Sequence, residues 1–293
     1  GLTVLLVEDH PLNQRVAGEL LERLGAHVDA VSSGADAVDA FARKRYDLLF
    51  MDCQMPEMDG YETTRRIREL EARMGGRPVP IVALSANALS GDRERGLAAG
   101  MDDYLTKPLR QPDLIRVLRQ VREVLAGEDC ENAFSERLAG AAGGGLASQP
   151  GSGSASGDVG AGLGSPVSGE AAIPVLDPAP LAALASPDDP AVLGEFVAQF
   201  ISDAPGRMAR NRHQLESGGG LDLVAAEAHS LKGSSSYMGA ARLVSACARL
   251  EQAARSPGAE PSAVAGLLGE VESEFNAARQ ALEAYLANPG SPS

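Results

Sequence analysis

The feature that most constrains this chain is a short apolar run, Leu48-Leu49-Phe50-Met51, closed by Asp52 and followed by Pro56 and then Asp59-Gly60. A run this short and uniformly apolar makes a strand buried on both faces. Strands of that kind belong to parallel sheets covered by helices on either side. The Pro and the Asp-Gly pair form a loop that closes into a helix, with Asp59 as its N-cap. Asp52 then stands at the rim of the sheet, where open α/β folds gather ligands and chemistry. A lone aspartate after a strand is more often a loop or capping residue, so the assignment needs partners.

Partners are present. Thr3–Val7 is a second buried run, and it ends on Glu8 and Asp9. If the two strands are neighbours, three carboxylates converge. Such a cluster needs protons or a cation to offset its repulsion. A hard divalent cation suits an all-oxygen site, and Mg²⁺ takes one or two carboxylates plus water and phosphate oxygens. That chemistry serves phosphoryl transfer, in which the protein mainly positions groups and neutralises charge. The rest of residues 1–126 alternates strand and helix patterns. Pro11 opens a helix, His27–Val31 is a strand, and Ser33 caps the next helix. Strands at Val79–Leu84 and Asp103–Thr106 follow, and Pro112 opens a last helix. Five strands alternating with five helices predict a parallel, doubly wound sheet. Ser85 and Lys107 follow the fourth and fifth strands. Both therefore share the rim with Asp52, where a hydroxyl and an ammonium bind phosphoryl oxygens.

The pattern Met51-Asp52-x-x-Met55-Pro56-x-Met58-Asp59-Gly60 resembles the response-regulator receiver domain of two-component signalling. The resemblance covers residues 1–126 and implies the strand order 2-1-3-4-5. It implies that Asp52 accepts a phosphoryl group from a phosphohistidine. Glu8, Asp9 and the backbone carbonyl of Gln54 would help Asp52 hold Mg²⁺. Ser85 would follow the phosphoryl group, Lys107 would bridge to it, and Lys107-Pro108 would be cis. Tyr104 matches the aromatic that shifts inward on activation; its ordinary alternative is an edge-strand ring. The Glu-Asp pair replaces the commoner Asp-Asp, which makes Asp9 the stronger metal ligand.

From 127 to 173 the composition turns to Gly, Ala and Ser without helical or strand period. Such a segment reads as a flexible linker with a random-coil span of about 35–40 Å. Residues 174–288 read as an antiparallel four-helix bundle. Asp189-Pro190 should start its first long helix, and Pro205-Gly206 should kink or break that helix. In the helix over 221–236, Leu221, Val224, Ala228 and Leu231 form the buried stripe. His229 turns about 100° away from Ala228. Around it stand the small residues Ala225, Gly233 and Ser236, with Lys232 beside it. An imidazole with room for a partner is a nucleophile near neutral pH. The stretch His229-Ser230-Leu231-Lys232-Gly233 … Gly239-Ala240 resembles the signature of histidine phosphotransfer domains. The resemblance implies that His229 is a phospho-acceptor, Lys232 a phosphate contact and Gly233 the small residue that lets a receiver dock. His10, His27 and His213 match nothing.

The net charge of −14, the 4% aromatic content and the lack of Trp speak against a nucleic-acid partner. No apolar run approaches the ~18 residues that span a membrane. Three well-separated cysteines suggest free thiols in a reducing compartment. Together these features predict a cytoplasmic phosphorelay protein with an upstream histidine kinase and a downstream receiver. The abrupt start on a strand suggests the tail of a hybrid sensor histidine kinase, at the cytoplasmic end of a membrane-bound protein; a stand-alone receiver–phosphotransfer regulator is the alternative form. No ATP-binding kinase region is visible, so the chain's own enzyme status stays open. A different reading makes the receiver a phosphorylation-gated binding module and His229 a phosphate sink. A haloacid-type phosphatase is disfavoured, since Val7-Glu8-Asp9-His10 lacks the D-x-D spacing.

Overall fold

A computed structural model describes residues 1–85, 90–127, 173–187 and 189–288. The linker expected over 127–173 lies outside these residues except for its two end positions. The first part alternates β1 (Thr3–Val7), α1 (Pro11–Arg23), β2 (His27–Val31), α2 (Gly34–Arg43), β3 (Leu48–Asp52), α3 (Gly60–Met74), β4 (Ile81–Ser85), α4 (Ser90–Ala99), β5 (Asp103–Thr106) and α5 (Gln111–Ala126). All four strand pairings are parallel, in the order β2-β1-β3-β4-β5.

The period of two in the strands divides the core into two halves. Val4, Leu6, Leu48, Phe50, Val82 and Leu84 face one layer, with Leu12 and Val16 of α1 and Leu114 and Val117 of α5. Leu5, Val7, Leu49, Met51, Ile81 and Ala83 face the other, with Phe41 of α2 and Ile67 of α3. Every residue of β3 and β4 is buried. Asp59 caps α3 by accepting from the Glu62 N–H at 2.7 Å. Gly60 is forced by packing, because a Cβ there would lie 2.1 Å from the Asp52 carbonyl oxygen.

The second part contains α6 (Pro178–Leu184), α7 (Val192–Glu216), α8 (Leu221–Tyr237), α9 (Ala241–Arg255) and α10 (Pro261–Ala287). Helix α8 packs on α7 and α9, and α10 closes the bundle against both α9 and α7. Three expectations change. Helix α7 starts at Val192, two residues beyond Pro190, because Asp189 turns the chain by accepting from the Ala191 N–H at 3.1 Å. It then runs unbroken through Pro205. Proline inside a helix costs about 3 kcal/mol, but Phe196, Phe200 and Ala204 before it and Met208 after it are all buried, and their packing holds the helix together. The short α6 is additional. Asp177 caps it, and the Asp177 N–H donates to the Gly239 carbonyl at 2.7 Å. Gly239 has φ +66°, and a Cβ there would lie 2.0 Å from the Asp177 carbonyl oxygen.

The two parts meet along α1, which packs on α7 and α8. Leu12 and Val16 belong to one apolar cluster with Phe196, Leu181 and Tyr237. At its edge Arg15 pairs with Glu195 and lies 5.1 Å over the Phe196 ring. Arg23 Nη1 donates to the Leu184 carbonyl at 3.1 Å.

Candidate functional site

Register brings the receiver-like rim together. Val7 pairs with Met51, so Glu8, Asp9 and Asp52 emerge side by side. One oxygen from each lies within 4.8 Å of the other two. Lys107 stands among them, with Nζ 2.6 Å from Asp52 Oδ2 and 2.5 Å from Glu8 Oε2. The other Asp52 oxygen accepts from the Gln54 N–H at 3.0 Å. Asn13 Nδ2 donates to Glu8 Oε1 at 2.9 Å. Both oxygens of Glu8 and both of Asp52 are therefore engaged within the site.

Electrostatics reflect the crowding. Burial, together with the nearby Asp52, pushes the Glu8 carboxyl up to about 8 even though Lys107 pulls it down. Burial and the Asp52 charge push Asp9 up to about 6. Burial alone would lower Lys107, but Asp52 and Glu8 outweigh it and hold the ammonium firmly protonated. The donor set is all oxygen and short of positive charge, so it fits a hard dication.

Ser85 is buried at the end of β4, and its carbonyl accepts from the Lys107 N–H at 2.7 Å. The Lys107-Pro108 bond is cis. Tyr104 is half-buried on the edge strand, with its hydroxyl 3.7 Å from Cys53 Sγ.

On the helical side His229 of α8 is only 7% exposed. It lines a cavity of about 660 Å³ that Glu8, Asp9, Asp52 and Lys107 line from the opposite wall. The residue expected to be open is thus covered by the chain's own receiver-like part. Gly233, one turn on, lies against α1: a Cβ there would lie 3.1 Å from Asn13 Nδ2. Lys232 departs from its expected role. It is 3% exposed, its ammonium is 2.6 Å from Glu251 Oε2, and it is absent from the cavity wall.

Several residues of the site were not visible in the sequence. Glu251 on α9 places Oε1 2.9 Å from His229 Nδ1. Burial would raise its carboxyl, but the hydrogen bond and charge of His229, followed by those of Lys232, hold it down at about 2. Arg255 links Glu251, at 3.1 Å, to the Gln54 side chain across the seam, at 2.8 Å. Arg207 and Arg210 enter the cavity wall from α7. His10 serves the fold instead, since its Nδ1 caps α1 by accepting from the Leu12 N–H at 3.1 Å. Sequence spacing carries no signal for contacts 22 or more positions apart. Only the Pro following His10 hinted at its cap.

Residues 4–119 match the response regulator receiver domain family and residues 195–286 the Hpt domain family. The sensor histidine kinase GacS of Pseudomonas protegens is 45% identical over 115 residues, which is 39% of this chain and 12% of that protein. Probable histidine kinase 2 of Oryza sativa subsp. indica is 43% identical over 135 residues, 41% of this chain and 13% of that protein. The chain thus spans about an eighth of the length of these relatives. The receiver domain of a Pseudomonas aeruginosa PAO1 sensor histidine kinase, solved with magnesium in its active-site cleft, is 49% identical. That match covers 41% of this chain and 96% of that one, with a TM-score of 0.38. No described helix is long and apolar enough to cross a membrane.

Proposed function

We propose that this chain, which carries a receiver domain over 4–119 and an Hpt domain over 195–286, works in a two-component phosphorelay and passes a phosphoryl group between Asp52 and His229 of the same molecule. One observation carries this reading: the two acceptors line one cavity between the two domains.

In the forward step the Nε2 lone pair of His229 forms the N–P bond. The Asp52 O–P bond breaks, and its electron pair returns to the carboxylate. The Nδ1 proton stays on the ring, held toward Glu251. Nothing else is consumed, and the same path runs in reverse. Glu251 fixes the tautomer, so the free nitrogen is the one facing the cavity. Lys107 binds phosphoryl oxygens at Asp52 and neutralises the returning carboxylate. Asp9, Asp52 and the Gln54 carbonyl would hold Mg²⁺, with Glu8 behind them. When bound, the ion neutralises phosphoryl oxygens. Ser85 follows the phosphoryl group and Tyr104 responds to it.

The domains are proposed as 1–126, a linker over 127–173, and 174–288. The phosphoryl source is a histidine kinase, and the recipient of phosphorylated His229 is a receiver on another protein. The relatives are named histidine kinases, which supports reading the chain as part of a hybrid kinase on the cytoplasmic side. The free, buried thiols of Cys53 and Cys247 fit that reducing compartment.

The test is to load Asp52 of the full chain from acetyl phosphate with Mg²⁺ and follow the appearance of alkali-stable phosphohistidine. Intramolecular transfer gives a first-order rate that does not change on dilution. A rate proportional to protein concentration rejects the reading.

A further inference from the structure

A phosphoryl group in flight spreads its charge over three equatorial oxygens, and both partners gain by neutralising it. The receiver domain contributes Lys107. On the Hpt side Lys232 is spent on Glu251 and does not reach the cavity. Three arginines do reach it. Arg255 is engaged at both ends, by Glu251 and Gln54. Arg210 is 55% exposed and turns both its Nε and Nη2 to Glu227. Arg207 differs. Its side chain is 15% exposed. Among the described residues its Nη1 alone is anchored, to Glu227 at 3.1 Å and to the Ser230 hydroxyl at 2.9 Å. Ser230 adjoins His229 in sequence. The guanidinium keeps Nε and Nη2 as donors.

Resting on the reading above, we propose that Arg207 is the cation with which the Hpt domain binds the phosphoryl group passing between Asp52 and His229. A guanidinium held by one nitrogen is fixed in place yet free to fork onto two oxygens. Glu227 and Ser230, both on α8, tie it to the helix that carries the nucleophile.

The experiment compares the full chain with its Arg207→Gln, Arg207→Lys and Glu227→Gln variants, all loaded on Asp52 from acetyl phosphate with Mg²⁺. Urea unfolding should show the same Hpt transition in all four, which shows that each is folded, and the transfer rate is taken per loaded Asp52. Arg207→Gln should slow transfer to His229 by about 10²-fold, the loss typical of one charge-stabilising donor. The final partition between the two sites should stay unchanged. Arg207→Lys should recover part of the rate. Glu227→Gln, which loosens the anchor but keeps the cation, should fall by less than about fivefold. A wild-type rate in Arg207→Gln overturns the inference, as does a Glu227→Gln variant as slow as Arg207→Gln. Failure of the unmutated chain to transfer at all would instead remove the function proposed above.

Discussion

Replacing Glu251 with Gln asks whether one buried carboxylate organises the Hpt half of the site. Glu251 is 5% exposed and meets His229 at 2.9 Å, Lys232 at 2.6 Å and Arg255 at 3.1 Å. Its carboxyl is held at about 2 against an ordinary 4.5. At about 1.36 kcal/mol per pKa unit, that difference is roughly 3 kcal/mol of native-state stabilisation. The sign follows from a depressed acid: the contribution is complete above the unfolded value and disappears as pH falls through about 2. Near neutral pH the Glu251→Gln loss should therefore be about 1–3 kcal/mol. The amide preserves shape but leaves the Lys232 ammonium, 3% exposed, without its counter-ion. Urea unfolding of the full chain should show the Hpt transition shifted to lower denaturant and the receiver transition less affected. Adding Lys232→Met removes the orphaned charge, so the double variant should lose less than the sum of the single losses. Additivity within about 0.5 kcal/mol would show no coupling and refute the reasoning.

The remaining predictions concern transfer. Asp52→Asn should abolish loading from acetyl phosphate, whereas His229→Gln should keep Asp52 loaded and yield no alkali-stable label; label on His229 without Asp52 would reverse the proposed order. Chelating divalent cations should stop Asp52 loading and adding Mg²⁺ should restore it, as read by phosphate-affinity gel shift. Gly233→Leu should slow transfer between the sites at least about tenfold, equivalent to about 1.4 kcal/mol of lost docking, because even a Cβ there meets Asn13 at 3.1 Å. Unchanged transfer in that variant would mean the seam is not the working geometry.

The sheet was legible because its strands are nearly pure. β3 and β4 are buried throughout, so their runs stand out from the amphipathic helices. Strand order was another matter, since alternation alone allows several; it came with the resemblance. Asp52, Glu8, Asp9 and Lys107 could be placed on one rim because each closes or follows an apolar run in sequence. Glu251 and Arg207 could not. Each is a charged residue on an amphipathic helix, indistinguishable from its solvated neighbours until the helices pack. Lys232 misled for the same reason: three residues from His229 it reads as a companion cation, and only the fold shows α9 drawing it inward. Pro205 misled because local propensity was read without the apolar residues that clamp α7 on both sides of it.

The shared helix α1 has one more consequence. One flank backs the sheet and the other packs on α7 and α8, so among the described residues the receiver-like part already stands across the cavity that His229 lines. Two suitors cannot hold it together. Under the proposed relay, a protein next in line would wait for the resident to swing aside, and the grip of that seam, rather than the ease of swapping one bond for another, would set how promptly the message leaves.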